Sequence, residues 1–141
     1  MINMNITDYL DYIIAAVGAS IGYFFGGFDG FFHALIAFVV IDYVTGVWAA
    51  GIEKRLSSSM GFEGIKRKFT IFLVIGVTHI IEKELFGGTK EFLRDGVICF
   101  YLSNEGISIL ENASIIGIPI PHFIKEKLSQ IKDKYNSKDD E

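Results

Sequence analysis

Phe31-Phe32-His33-Ala34-Leu35-Ile36-Ala37-Phe38-Val39-Val40-Ile41-Asp42-Tyr43-Val44-Thr45-Gly46-Val47-Trp48-Ala49-Ala50-Gly51-Ile52 decides the class of this protein. It runs for 22 residues with one charge, Asp42. A bilayer core about 30 Å thick is crossed by about 20 apolar residues in a helix. Upstream, Tyr9–Phe28 supplies 20 residues with Asp11 as its one charge. Only Asp29 and Gly30 separate the two stretches, so they are expected to form a helical hairpin with a tight turn. No Lys or Arg precedes Lys54. The first stretch therefore lacks the basic flank of a signal peptide and is expected to be a retained helix.

Two further stretches follow. Phe69–Ile81 is apolar for 13 residues and reaches a spanning length if Glu82, Lys83 and Glu84 extend outward at the far interface. Phe92 to about Ile118 is long but broken by Asn104, Glu105, Glu111 and Asn112. The expected fold is all-α: a polytopic membrane protein with three or four transmembrane helices near residues 9–28, 31–52, 69–86 and 92–113. These form one membrane domain, 1–124, followed by a short charged tail, 125–141.

The whole chain agrees. Of its 141 residues, 50% are hydrophobic and 21% charged, and the charges cluster outside the apolar stretches. The mean hydropathy is +0.39. That pattern argues against a soluble globule, a disordered chain and a nucleic-acid binder. A single cysteine excludes an internal disulfide and a cysteine-based metal cluster. His33 and His79, at different depths, make no metal site, and no cofactor is expected. No catalytic motif occurs: Gly61-Phe62-Glu63-Gly64 lacks the Lys-Ser/Thr of a phosphate loop.

Basic residues set the expected orientation. Lys54, Arg55, Lys66, Arg67 and Lys68 follow the second stretch, and Lys125, Lys127, Lys132, Lys134 and Lys138 lie in the tail. If both segments are cytoplasmic, an even number of spans separates them. Four spans result. The alternative has three, with the fourth stretch on the membrane surface.

Small and polar residues carry the functional signal. Gly18, Gly22 and Gly26 recur every four residues in the first stretch, and Gly46 and Ala50 repeat the pattern in the second. In lipid such faces let helix backbones meet, either within the hairpin or between copies of the chain. Asp42 lies mid-span, where a charge costs about 2.5–3.5 kcal/mol and must be paired, protonated or hydrated. In the fourth stretch Tyr101, Asn104, Glu105, Ser108, Glu111 and Asn112 fall within an arc of about 120°. That arc is expected to line water in an assembly or to lie flat at an interface.

The sequence also resembles the toxin secretion/phage lysis family of bacteriophage holins. The resemblance rests on Asp42-Tyr43-Val44-Thr45-Gly46, Leu56-Ser57-Ser58-Ser59 and Gly61-Phe62-Glu63-Gly64-Ile65-Lys66-Arg67-Lys68. It is strongest in Ser103-Asn104-Glu105-Gly106-Ile107-Ser108-Ile109-Leu110-Glu111-Asn112-Ala113, followed by Gly117-Ile118-Pro119-Ile120-Pro121. It covers Phe31 to about Leu128. The resemblance implies a non-enzymatic, multi-pass protein of the bacterial cytoplasmic membrane. Such a protein oligomerises and opens lesions through which an endolysin or a large toxin passes. Alternatives are an antiholin or membrane scaffold acting on a partner holin, and a small ion channel or transporter using Asp42 or Glu105.

Overall fold

The structure is a computed structural model, and it describes residues 5–88, 92–124, 126, 127 and 130. Among the described residues the chain forms α1 (Ile6–Phe25), α2 (Gly30–Ile52), α3 (Ser58–Phe86) and α4 (Phe92–Ile116), with no strand. The all-α expectation holds. Most of the tail at 125–141, with Lys125, Lys132, Lys134 and Lys138, lies outside the described residues.

Local chemistry moves several helix ends from their expected places. α1 begins at Ile6 rather than Tyr9 because Asp8 Oδ2 accepts the Asn5 N–H at 2.8 Å, a contact that starts the helix early. It stops at Phe25 because Gly26 turns left-handed, with φ 75°, and the Gly27 N–H bonds back to the Gly22 carbonyl at 2.8 Å. The hairpin turn is thus Gly26–Asp29, and Gly30 belongs to α2. Asp29 caps α2 by accepting the Phe32 N–H at 2.9 Å.

α3 starts at Ser58, not Phe69, so Lys66, Arg67 and Lys68 lie on a helix rather than in a loop. Ser57 caps it, its Oγ accepting the Met60 N–H at 3.2 Å. α4 runs on to Ile116, where Gly117, with φ 98°, ends it ahead of Pro119.

The helices pack into two compact units. One combines the chain up to Leu35 with Lys66–Tyr101, and the other combines Ile36–Ile65 with the chain from Leu102 onward. In the first, Phe32, Leu35, Ile71, Ile75 and Ile98 are buried. Phe32 stacks between Phe25 at 4.9 Å and Phe72 at 5.8 Å. In the second, Val39, Ala49 and Ala50 are buried, and the Tyr43 ring rests on Gly61 and Gly64.

The exterior is strongly apolar. α1 buries no residue and exposes Ile13, Ile14, Val17 and Ile21. α2 exposes Phe31, Val40, Val44 and Trp48, and α3 exposes Phe69, Leu73 and Val77. By length and composition α2 is the one described helix apolar enough to cross a membrane. The expected three or four spans do not reach that mark. Asp8 and Asp11 occupy the first turns of α1, charges flank the apolar centre of α3, and Arg94, Asp95, Glu105 and Glu111 interrupt α4.

Candidate functional site

Ionisable groups lie inside this apolar exterior: Asp42, His79, Glu82, Arg94 and Glu105 are all buried. Desolvation makes each costly unless hydrogen-bonded. For Glu82 and Arg94 in one unit, and for Asp42 in the other, separate polar clusters meet that requirement.

The cluster of the first unit centres on Arg94, whose side chain is 0% exposed. Its Nε donates to the Phe25 carbonyl at 2.6 Å, and its Nη2 donates to the Gly27 carbonyl at 3.0 Å. Its Nη1 donates to Asp29 at 2.6 Å and to Asp95 at 3.1 Å. The planar fork thus reads the α1–α2 turn, including carbonyls left open where α1 ends. Glu82 completes the cluster from α3. Its two carboxylate oxygens accept the Leu93 and Arg94 N–H groups at 2.8 and 3.1 Å, capping the start of α4. Glu82 was expected to reach outward to an interface. It faces inward instead, because the first turn of α4 offers N–H donors that the helix itself leaves without partners.

At the turn, burial raises the Asp29 carboxyl's pKa. The Arg94 hydrogen bond, the Phe32 N–H and the charges of Arg94 and His33 outweigh burial and hold it below the usual aspartate range.

The cluster of the second unit joins α2 to α4. Asn112 Nδ2 donates to Asp42 Oδ1 at 3.1 Å, to the Asp42 carbonyl at 3.3 Å and to Thr45 Oγ1 at 3.1 Å. The Thr45 hydroxyl donates in turn to the Ile41 carbonyl at 2.8 Å. Gly46 lies beside this contact, with Asn112 Nδ2 3.5 Å from where its Cβ would sit. Glu105, 3% exposed, is buried in the same unit.

The structure sorts the residues singled out from the sequence. Asp42, Gly46 and Asn112 come together, and Ala50 is buried in the same unit. Ser108 and Glu111 are half-buried, while Asn104 is exposed. Gly18 faces open space, a Cβ at Gly22 would touch the Phe28 ring, and Gly26 is a helix cap rather than a third rung of a helical face. Lys54, Arg55, Lys66 and Arg67 are exposed and Lys68 is half-buried. Arg94 and Asp29 were not anticipated as a pair. The available signal was an arginine in the first turn of an apolar helix, where a charge needs a partner.

The exposed hydroxyls of Ser20 and Thr70, and the half-buried one of Thr78, donate to carbonyls one helical turn back, at 2.8, 3.0 and 2.8 Å. Their polarity is thereby spent within the helix. Among the described residues no group of three His, Cys, Asp or Glu side chains is placed to hold a metal.

The sequence has relatives among known proteins. An uncharacterized protein of Listeria monocytogenes is 42% identical over 94% of this chain and 92% of its own length. An uncharacterized protein of Listeria innocua is 44% identical over 79% of each chain. An uncharacterized Clostridium perfringens protein, described as lying in the nagH 3′ region, is 38% identical over 92% of this chain and 98% of its own. No solved structure matches. The match to the bacteriophage holin family, a family of membrane proteins, extends over residues 19–133 and establishes that this chain belongs to that family.

Proposed function

We propose that the chain is a working holin: a multi-pass protein of the bacterial cytoplasmic membrane whose copies associate and open lesions for an endolysin or a large toxin. The observation that carries this is the inversion of polarity. Ile, Val and Phe cover the outside of α1, α2 and α3, while Asp42, Glu82, Arg94 and Glu105 are buried. A soluble protein has no reason to hide its charges and expose its aliphatic residues, whereas a protein solvated by lipid does. The same inversion supports spans beyond α2, because charges buried in the protein add nothing to the cost of the lipid-facing surface.

In this scheme the polar groups of α4, from Glu105 to Asn112, are covered at rest and meet water when an assembly opens. Inducible expression in bacteria, with and without a co-expressed murein hydrolase, tests the function. Abrupt lysis only with the hydrolase is expected. Delay of a partner holin's lysis, without lysis of its own, would make the chain an antiholin. Steady ion-specific flux without lysis would make it a channel. A reporter fused after Lys134 is expected to be active in the cytoplasm. Activity outside would replace four spans by three.

A further inference from the structure

A cavity of about 390 Å³ opens in the first unit between the C-terminal ends of α1 and α3. Gly22 and Tyr23 line it from α1, Gly26 from the turn that follows, and His79, Glu82 and Lys83 from α3. We propose that it receives the phosphate of a phospholipid headgroup, with Lys83 as the binding cation. The proposal rests on the membrane reading given above.

Three observations converge. The glycines keep part of the wall at bare backbone, so the space is not filled by the protein's own side chains. The free donor offered to the cavity is an ammonium: both Glu82 oxygens already accept from the N–H groups of Leu93 and Arg94, while Lys83 Nζ lies 3.8 Å from the centre of the Tyr23 ring. A π-face fixes an ammonium in place and leaves N–H donors for an acceptor. The level is also that of headgroups. Apolar sequence in α3 ends at Ile81 and charge begins at Glu82, and a tyrosine beside a lysine at such a boundary is the signature of a membrane interface. The acceptor abundant at that level is the phosphodiester of a lipid.

The test uses the full chain purified in detergent and titrated, by native mass spectrometry, with short-chain phosphatidylglycerol, with diacylglycerol and with inorganic phosphate. Phosphatidylglycerol is expected to bind. Lys83→Gln is expected to weaken it about tenfold, the scale of one hydrogen bond to a charged group. Lys83→Arg should retain it, and diacylglycerol should not bind. Circular dichroism checks that the variants keep their helices. Equal binding by Lys83→Gln, or equal binding of diacylglycerol, would overturn the proposal. Displacement by equimolar inorganic phosphate would overturn the lipid assignment in favour of free phosphate. Lysis assays keep the two proposals apart: a variant that loses lipid but still lyses with the hydrolase leaves the holin function standing. A wild-type chain that binds lipid but never lyses leaves the headgroup site standing.

Discussion

Arg94, on α4, donates to Asp29, in the turn between α1 and α2, at 2.6 Å across 65 positions of sequence. The guanidinium is fully covered, whereas the Asp29 side chain is 41% exposed. The two partners therefore differ in what their loss costs. Arg94→Ala leaves the Phe25 and Gly27 carbonyls and the carboxylates of the first unit without their donor, and a cost of about 3–5 kcal/mol is expected. Asp29→Asn keeps an acceptor at a half-exposed site and should cost about 1 kcal/mol or less. Thermal unfolding in detergent checks the order. Equal losses would mean that the arginine acts only through Asp29.

The same pair predicts an acid dependence. The Asp29 carboxyl is held below the ordinary aspartate value of about 3.9, with burial opposing and Arg94 leading the groups that lower it. A depressed folded-state pKa means that the stabilisation is complete above the ordinary value and is lost as pH falls through the lower, folded value. The melting temperature of the wild type should therefore fall below about pH 4 more steeply than that of Asp29→Asn. Parallel curves from pH 6 to pH 2.5 would show that Asp29 contributes no linked proton.

Gly76 on α3 lies against the Phe24 ring of α1 so closely that a Cβ would fall inside the ring's van der Waals envelope. Phe24 is itself packed edge-on against Phe25, with ring centres 5.0 Å apart. Gly76→Ala should destabilise by about 1–3 kcal/mol despite its gain in helix propensity. In a Phe24→Ala background the same substitution should cost nothing. A double-mutant cycle measures the coupling, and additive effects would show that the ring moves aside freely.

These contacts mark where sequence reading succeeds and where it stops. The apolar stretches showed α1, α2 and α4 to within a few residues, since long apolar helices advertise themselves by composition. The first turns of α3 stayed hidden because Gly61, Gly64 and their charged neighbours read as a loop. In the structure both lie on α3, under the Tyr43 side chain. Gly26 was legible as a member of a four-residue glycine repeat but not as the left-handed residue that ends α1. Asp42 and Asn112 were each legible as costly polar residues, yet their partnership spans 70 positions and no local pattern encodes it. Arg94 was hidden for the same reason.

Asn112 is the donor that ties α4 to α2 in the second unit. Asn112→Leu removes that donor and is expected to cost about 1 kcal/mol, the scale of interhelical hydrogen bonds measured in membranes. Asp42→Asn leaves a carbonyl acceptor in place and should cost less. If α4 exposes its polar side when assemblies open, Asn112→Leu should also shift the time of lysis while membrane insertion, followed by fractionation, stays normal. A larger loss for Asp42→Asn than for Asn112→Leu would show that the carboxylate's main partner lies elsewhere.

Association between copies is best tested at Gly18. Of the three glycines spaced four apart in the first stretch, Gly26 lies outside α1, and a Cβ at Gly22 would touch the Phe28 ring at 3.6 Å. A large residue at either position would disturb the single chain and confuse the result. Gly18 has nothing within 4 Å, and α1 buries no residue. Gly18→Leu therefore introduces no clash in the isolated chain, and removing a mid-helix glycine favours the helix by about 0.8 kcal/mol. If copies meet through this face, the leucine holds their backbones apart and weakens assembly. The expected outcome is a melting temperature equal to or above that of the wild type, with a cross-linked ladder in membranes that loses its higher rungs and a delayed lysis. Stability and assembly then move in opposite directions, which no general unfolding defect produces. An unchanged ladder with unchanged lysis time would show that Gly18 faces only lipid and that copies associate through another surface.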